Sequence, residues 1–114
     1  MQLKIVVIPR AQDLVITLDG ALSAGDAVAA QVELLNLAAP CSGRIVLDCT
    51  RLTYVASAGL RALLALHRNV AGRSKGVVLA GVSEPVRGIF EMAGLLPHFA
   101  LVDTIEQALA PEVK

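Results

Sequence analysis

Between Ile45 and Arg68 the hydrophobic period of the chain changes once, and that change limits the fold more than any other feature. Ile45-Val46-Leu47-Asp48-Cys49-Thr50 is a short apolar, β-branched run of the kind that fills a buried strand. From Leu60 the apolar residues fall at 60, 63, 64, 66 and 70, which is helical spacing, and the helix closes around Gly72. Between the two, residues 51–56 read as a turn. Ser57 stands where the helix begins, a position at which serine is favoured because its oxygen can accept from an orphan first-turn N–H. Gly59, two residues on, carries no side chain, so that another molecule would be able to approach the serine closely.

The flanking segments extend the same alternation. Leu3 to Ile8 and Leu14 to Leu18 are strands joined by Pro9-Arg10-Ala11-Gln12-Asp13, a loop short enough to favour an antiparallel hairpin. Asp19-Gly20 is expected to end the second strand. Ser23 and Asp26 resemble a capping box, so a helix is expected from near Ala24 to Pro40, with Val28, Val32, Leu35 and Leu37 among its apolar positions. Gly76 to Ala80 is a fourth strand. Ser83, Glu84 and Pro85 open a third helix that Gly94 ends. Phe99 to Val102 is a short last strand and Thr104 to Ala110 a terminal helix.

Strands alternating with helices after an opening hairpin imply parallel strands joined by right-handed crossovers, with the first strand antiparallel. The expectation is an α/β sandwich: one domain over residues 1–114, with a mixed sheet of four to five strands and connecting helices. The apolar share of 55% and mean hydropathy of +0.66 suit strands buried on both faces.

Composition narrows the function. Ten basic and ten acidic residues cancel and aromatic residues are 3%, which argues against direct nucleic-acid binding. No uncharged apolar run reaches the roughly 18–20 residues of a membrane span, so no membrane insertion is expected. The N-terminus lacks a signal peptide's plan, and Cys41 and Cys49 fit neither a CxxC nor a disulfide framework, as for thiols in a reducing cytoplasm.

Catalysis is not expected. Val55 stands two residues before Ser57, so there is no G-x-S-x-G elbow. The histidines, His67 within the helix and His98 after Pro97, read as structural or solvated. Neither a G-x-x-x-x-G-K-[ST] loop nor a G-x-G-x-x-G run is present to cradle a nucleotide. Asp48 and Asp103 are scattered carboxylates without a metal pattern, so no cofactor or metal is expected. On residue type alone, Ser57 as a plain helix N-cap is favoured over any regulatory role.

A further reading comes from resemblance. Leu47-Asp48-Cys49-Thr50, Leu52, Tyr54-Val55 and Ser57-Ala58-Gly59-Leu60 resemble the signature of the STAS domain family, found in bacterial anti-sigma-factor antagonists and sulfate-transporter tails. The opening hairpin, Gly20 before the first helix and Gly94-Leu95-Leu96 extend the likeness over nearly the whole chain. The family's pattern around the site is Asp-Ser-Ser/Thr-Gly-Leu, and its first hydroxyl residue, phosphorylated by an ATP-using anti-sigma kinase, aligns with Ser57. The resemblance implies a cytoplasmic phosphoprotein that regulates transcription by partner switching with an anti-sigma factor of serine-kinase activity, and that is reset by a serine phosphatase. The implied partner surface comprises Gly20 and Ser23 of the loop over residues 20–25, Ala56, Ser57, Ala58 and Gly59, and the helix side with Arg61, Ala65 and Arg68. Arg61 and Arg68 also have a plain reading, as charges that keep a helix surface wet.

Two departures stand out. Ala56 replaces the acid before the serine, with Ala58 after it, and Gly20-Ala21-Leu22-Ser23 lacks the acids of the family's Gly-Glu-Leu-Asp. Ser57 itself is retained, so the phosphorylation switch stays the leading reading, while the missing carboxylates slightly favour its alternative: a non-phosphorylated STAS docking subunit of a membrane transport complex for lipid or anion. A small-ligand binder is a third possibility, for which the sequence selects no ligand.

Overall fold

The computed structural model describes residues 2–72 and 74–110. β1 (Lys4–Arg10) and β2 (Asp13–Leu22) form the expected antiparallel hairpin, in register from Lys4↔Asp19 to Arg10↔Asp13. Ala11 and Gln12 alone make the turn, so Pro9 falls inside the strand. β1 is an edge strand, where a missing N–H is tolerated.

β3 (Ile45–Asp48), β4 (Leu52–Val55), β5 (Val77–Ala80) and β6 (Ala100–Val102) complete a six-stranded mixed sheet. Its order is β1-β2-β3-β5-β6, every pairing after the hairpin is parallel, and β4 pairs with β2. The α/β class and the antiparallel first strand are as expected. The strand beyond the expected number is β4, whose residues read as turn.

β2 serves two neighbours. Residues 14–17 pair with β3, and Gly20, Ala21 and Leu22 pair with β4 after a register shift between Gly20 and Ala21. Asp19-Gly20 therefore does not end the strand. Gly20 has φ +115°, a conformation costly for any residue with a Cβ, and the shift it allows bends β2 from one partner to the other.

The helices are α1 (Ala27–Ala38), α2 (Ser57–Val70), α3 (Glu84–Met92) and α4 (Ile105–Leu109). α1 begins at Ala27 rather than near Ala24, and the Ser23/Asp26 capping box does not form. The Asp26 carboxylate instead accepts from the backbone N–H groups of Gln2 (3.1 Å) and Leu3 (3.2 Å), fastening the start of the chain to the helix. Thr104 and Gln107 do form a capping box, at the start of α4.

Strand alternation sorts the side chains into two layers. Ile16, Leu18, Ile45, Leu47 and Leu79 face α1, α2 and α3, where Leu34, Leu63, Leu66 and Phe90 are fully buried. Burial of each such side chain is worth about 1.5–3 kcal/mol, so this layer holds most of the fold. On the opposite face Val15, Val46 and Ala80 pack under Ala108 of α4. Arg44 fastens that short helix: its guanidinium donates to the carbonyls of Ala108 (2.9 Å), Leu109 (3.0 Å) and Ala110, and pairs with Asp13 at 3.2 Å. Those carbonyls are the acceptors that a helix C-terminus leaves unpaired.

Candidate functional site

The end of β3 is shaped by Asp48. Its carboxylate accepts from the Thr50 N–H (3.1 Å), the Thr50 hydroxyl (2.8 Å) and the Thr17 hydroxyl (3.2 Å). All three donors are protein groups, so Asp48 sets the turn that sends the chain into β4. Among the described residues no group of three or more His, Cys, Asp or Glu residues is placed to hold a metal. Cys49 follows it into the core. Burial, with a smaller contribution from Asp48, pushes its thiol up to about 12, and the thiol form is inert.

β4 then delivers Ser57. Ala56 is the N-cap of α2, in extended conformation and without a side-chain bond, so Ser57 occupies the first helical position. This corrects the expectation of a serine cap. The hydroxyl is not spent on the helix backbone, and Ser57 is exposed.

The turn is held from behind. The Ala56 N–H donates to the Leu22 carbonyl at 2.9 Å, continuing the β2–β4 ladder into the helix. Gly59 is buried against the same residue, and a Cβ built there would stand 2.7 Å from Leu22 Cγ and 2.9 Å from Leu22 O. Gly59 is thus bare toward the core and not toward a partner, and it leaves the implied partner surface. The glycine exists so that α2 can lie against the end of β2.

Ladder and close approach together bring the end of β2 beside the start of α2. Gly20 and Ser23 are half-buried there, as are Ala56 and Ala58. Ser57, Arg61, Ala65 and Arg68 follow one another at helical spacing on the outer side of α2. Arg61 and Arg68 are exposed and Ala65 is half-buried.

α3 supplies residues that the sequence reading missed. Ser57 stands between two open hollows of about 300 and 310 Å³, both floored by Leu60 and Ala93. One continues to Arg61, Leu64 and Leu95, the other to Tyr54, Ile89 and Met92. Met92 is 93% exposed and Tyr54 51%, so the serine lies in an apolar patch. The exposure of Met92 was invisible in a reading that placed the third helix by its end signals alone, Ser83-Glu84-Pro85 and Gly94.

No histidine lines either hollow. His67, near the far end of α2, is half-buried with its ring 5.2 Å from that of Phe99, and His98 is exposed as the last residue of the Leu96–His98 3₁₀ turn. The arrangement presents a hydroxyl among apolar side chains, with no histidine lining the hollows beside it.

Comparison with known proteins gives this geometry its family. The family model described as "Mlab, STAS domain" matches residues 9–111. The chain belongs to the STAS domain family. This STAS domain is 32% identical over 97 residues to "Putative anti-sigma factor antagonist BtrV" of Bordetella bronchiseptica, covering 85% of this chain and 84% of that protein. An anti-sigma factor antagonist from Mycobacterium paratuberculosis superposes with a TM-score of 0.85 at 20% identity, over 95% of this chain and 92% of that one. The anti-sigma factor antagonist SpoIIAA in its unphosphorylated form gives 0.74 at 24% identity, over 93% of each chain. At these identities the two solved structures speak for the fold of the STAS domain.

Proposed function

We propose that this STAS domain is an anti-sigma-factor antagonist that works by binding rather than catalysis, under the control of phosphorylation at Ser57. The observation that carries the reading is an exposed hydroxyl at the first position of α2, unused by the helix and flanked by apolar hollows. The relative in Bordetella, named as an anti-sigma factor antagonist, supports the binding role. The partner would be an anti-sigma factor with serine-kinase activity, docking over Ser57, Arg61, Ala65, Arg68 and the adjoining ends of β2 and α3. Docking would displace the sigma factor.

In the modifying step the terminal phosphoryl group of ATP passes to Ser57 Oγ. The bond to ADP breaks, and the hydroxyl proton leaves to a base on the kinase. The product carries roughly −1.5 to −2 charges beside the unpaired N–H groups and positive dipole end of α2, which tolerate an anion. The fold therefore survives. In a closed interface the same group must be desolvated, and binding weakens tenfold or more, about 1.4 kcal/mol. A serine phosphatase would restore the binding form.

The absence of an acid at Ala56, together with exposed Tyr54 and Met92, favours a second reading, a docking subunit of a membrane transport complex indifferent to modification. Among the described residues no helix is long and apolar enough to cross a membrane, so such a subunit would dock through its partner. Incubation with the candidate kinase and ATP, read by intact mass, separates the two. One phosphoryl group on the parent and none on Ser57→Ala supports the switch. An unmodified parent, or equal modification of Ser57→Ala, overturns it.

A further inference from the structure

We propose that Arg61 is the receptor for the phosphoryl group of Ser57, and that the modified side chain folds back along α2 into the hollow the two residues share. The inference rests on the phosphorylation of Ser57 proposed above and adds to it how the charge is held.

Ser57 and Arg61 are four residues apart in one helix, so their side chains lie on one face with roughly 5–6 Å between Cβ atoms. Both line the same open hollow of about 300 Å³, with Leu60, Leu64, Ala93 and Leu95 as its other walls. Arg61 is the sole charged residue of that lining. The two ion pairs among the described residues, Arg44–Asp13 and Arg51–Asp19, leave it unpaired. An exposed, unpaired guanidinium beside apolar walls has its donors free, and its planar fork matches two oxygens of a phosphate.

The direction of the side chains agrees. Helical side chains tilt toward the N-terminus, which aims Arg61 back at the turn that carries Ser57. The phosphoryl group then meets the first-turn N–H groups on one side and Arg61 on the other.

Two consequences follow for docking. With Ala56 in place of an acid and Arg61 free, the unmodified surface offers a positive charge, so the partner's contact surface is expected to set a carboxylate opposite Arg61. Modification then removes that contact from within: the phosphoserine takes the guanidinium and fills the hollow between Leu64 and Leu95. The partner loses its ion pair and its apolar seat together.

The test needs no partner. Phosphoserine is introduced at position 57 during synthesis, and its second ionisation, near 6 for a free phosphoserine, is followed by ³¹P NMR titration in the parent, Arg61→Lys and Arg61→Gln backgrounds. Pairing with Arg61 favours the dianion. Arg61→Gln should therefore raise the ionisation by on the order of 0.3–0.5 pH unit at low salt, and Arg61→Lys should restore part of the difference. Molar salt should erase it. Arg61 is exposed, so all three proteins should share one circular-dichroism spectrum. Identical titrations in the three backgrounds would overturn the assignment to Arg61, even if the kinase modifies Ser57. A parent that no candidate kinase modifies would instead sink the switch itself, leaving the titration result intact, so the two failures are distinguishable.

Discussion

Gly59→Ala separates a packing role for this glycine from a contact role. The added Cβ would stand 2.7 Å from Leu22 Cγ, 2.9 Å from Leu22 O and 3.0 Å from Val55 Cγ1, against an optimum of about 3.5–4.0 Å between carbons. Neither neighbour can retreat easily. Leu22 is 0% and Val55 1% exposed, and the Leu22 carbonyl is bonded to the Ala56 N–H. Overpacking of this kind costs about 1–3 kcal/mol, while alanine regains up to about 1 kcal/mol of helix propensity. The net expectation is a loss of about 1–2 kcal/mol, seen as a lower urea midpoint with unchanged slope and a melting temperature roughly 4–10 °C lower. Gly88→Ala is the internal control. It lies within α3 with nothing inside 4 Å of its added Cβ, and should gain about 0.5–1 kcal/mol. If Gly59→Ala melted at or above the parent while Gly88→Ala behaved as expected, the close approach of α2 to β2 would be refuted.

Other expectations follow from the same geometry. Arg44→Met should cost about 1–3 kcal/mol in urea denaturation, because it strands the C-terminal carbonyls of α4 and leaves Asp13 only its 2.7 Å bond from the backbone N–H of residue 44, and hydrogen exchange should rise first within α4. Undiminished protection of α4 would contradict its fastening by Arg44. Cys49 should resist a thiol reagent at pH 8 until the chain unfolds, whereas Cys41 reacts in the native protein. The same thiol makes stability fall as pH rises from its ordinary 9.0 toward about 12, since over that window the unfolded state releases a proton that the folded state retains. Cys49→Ala should flatten that decline in alkaline urea titrations. Ser57→Ala should change stability by less than about 0.5 kcal/mol, because the hydroxyl caps nothing, and a larger loss by calorimetry would restore the capping role.

The interior strands could be read from the sequence because burial on both faces leaves a nearly pure apolar run, as at Ile45–Asp48 and Val77–Ala80. α2 was equally legible, since one wet face keeps the period of 3.6 visible. β4 was not. Leu52 and Val55 are its buried residues, with Thr53 and Tyr54 exposed between them, which breaks the alternation by which a half-buried strand is recognised. Gly20 misled for a related reason: Asp-Gly signals a turn, but here the positive φ serves a bulge inside a strand that continues for two residues. The start of α1 was misplaced because Ser23 and Asp26 look like a capping box, whereas Asp26 stands at the N-cap position itself and spends its carboxylate on the backbone of Gln2 and Leu3. Within the site, Ser57 was legible from its place between two periodic segments. Met92 and Ala93 were not, because only the packing of α3 against β4 brings them to the serine, more than thirty residues away in sequence.

Whether the surface at Ser57 governs binding is tested most directly by calorimetric titration of the kinase-type anti-sigma factor with three forms of the chain: parent, Ser57→Asp and Ser57→Ala. All three should share one circular-dichroism spectrum, since position 57 lies outside the core. The account predicts parent-like affinity for Ser57→Ala and at least a tenfold weaker complex for Ser57→Asp, about 1.4 kcal/mol, because a charge must enter a closed interface. Equal affinity for all three would contradict phosphorylation control and leave a docking subunit as the better account of this STAS domain.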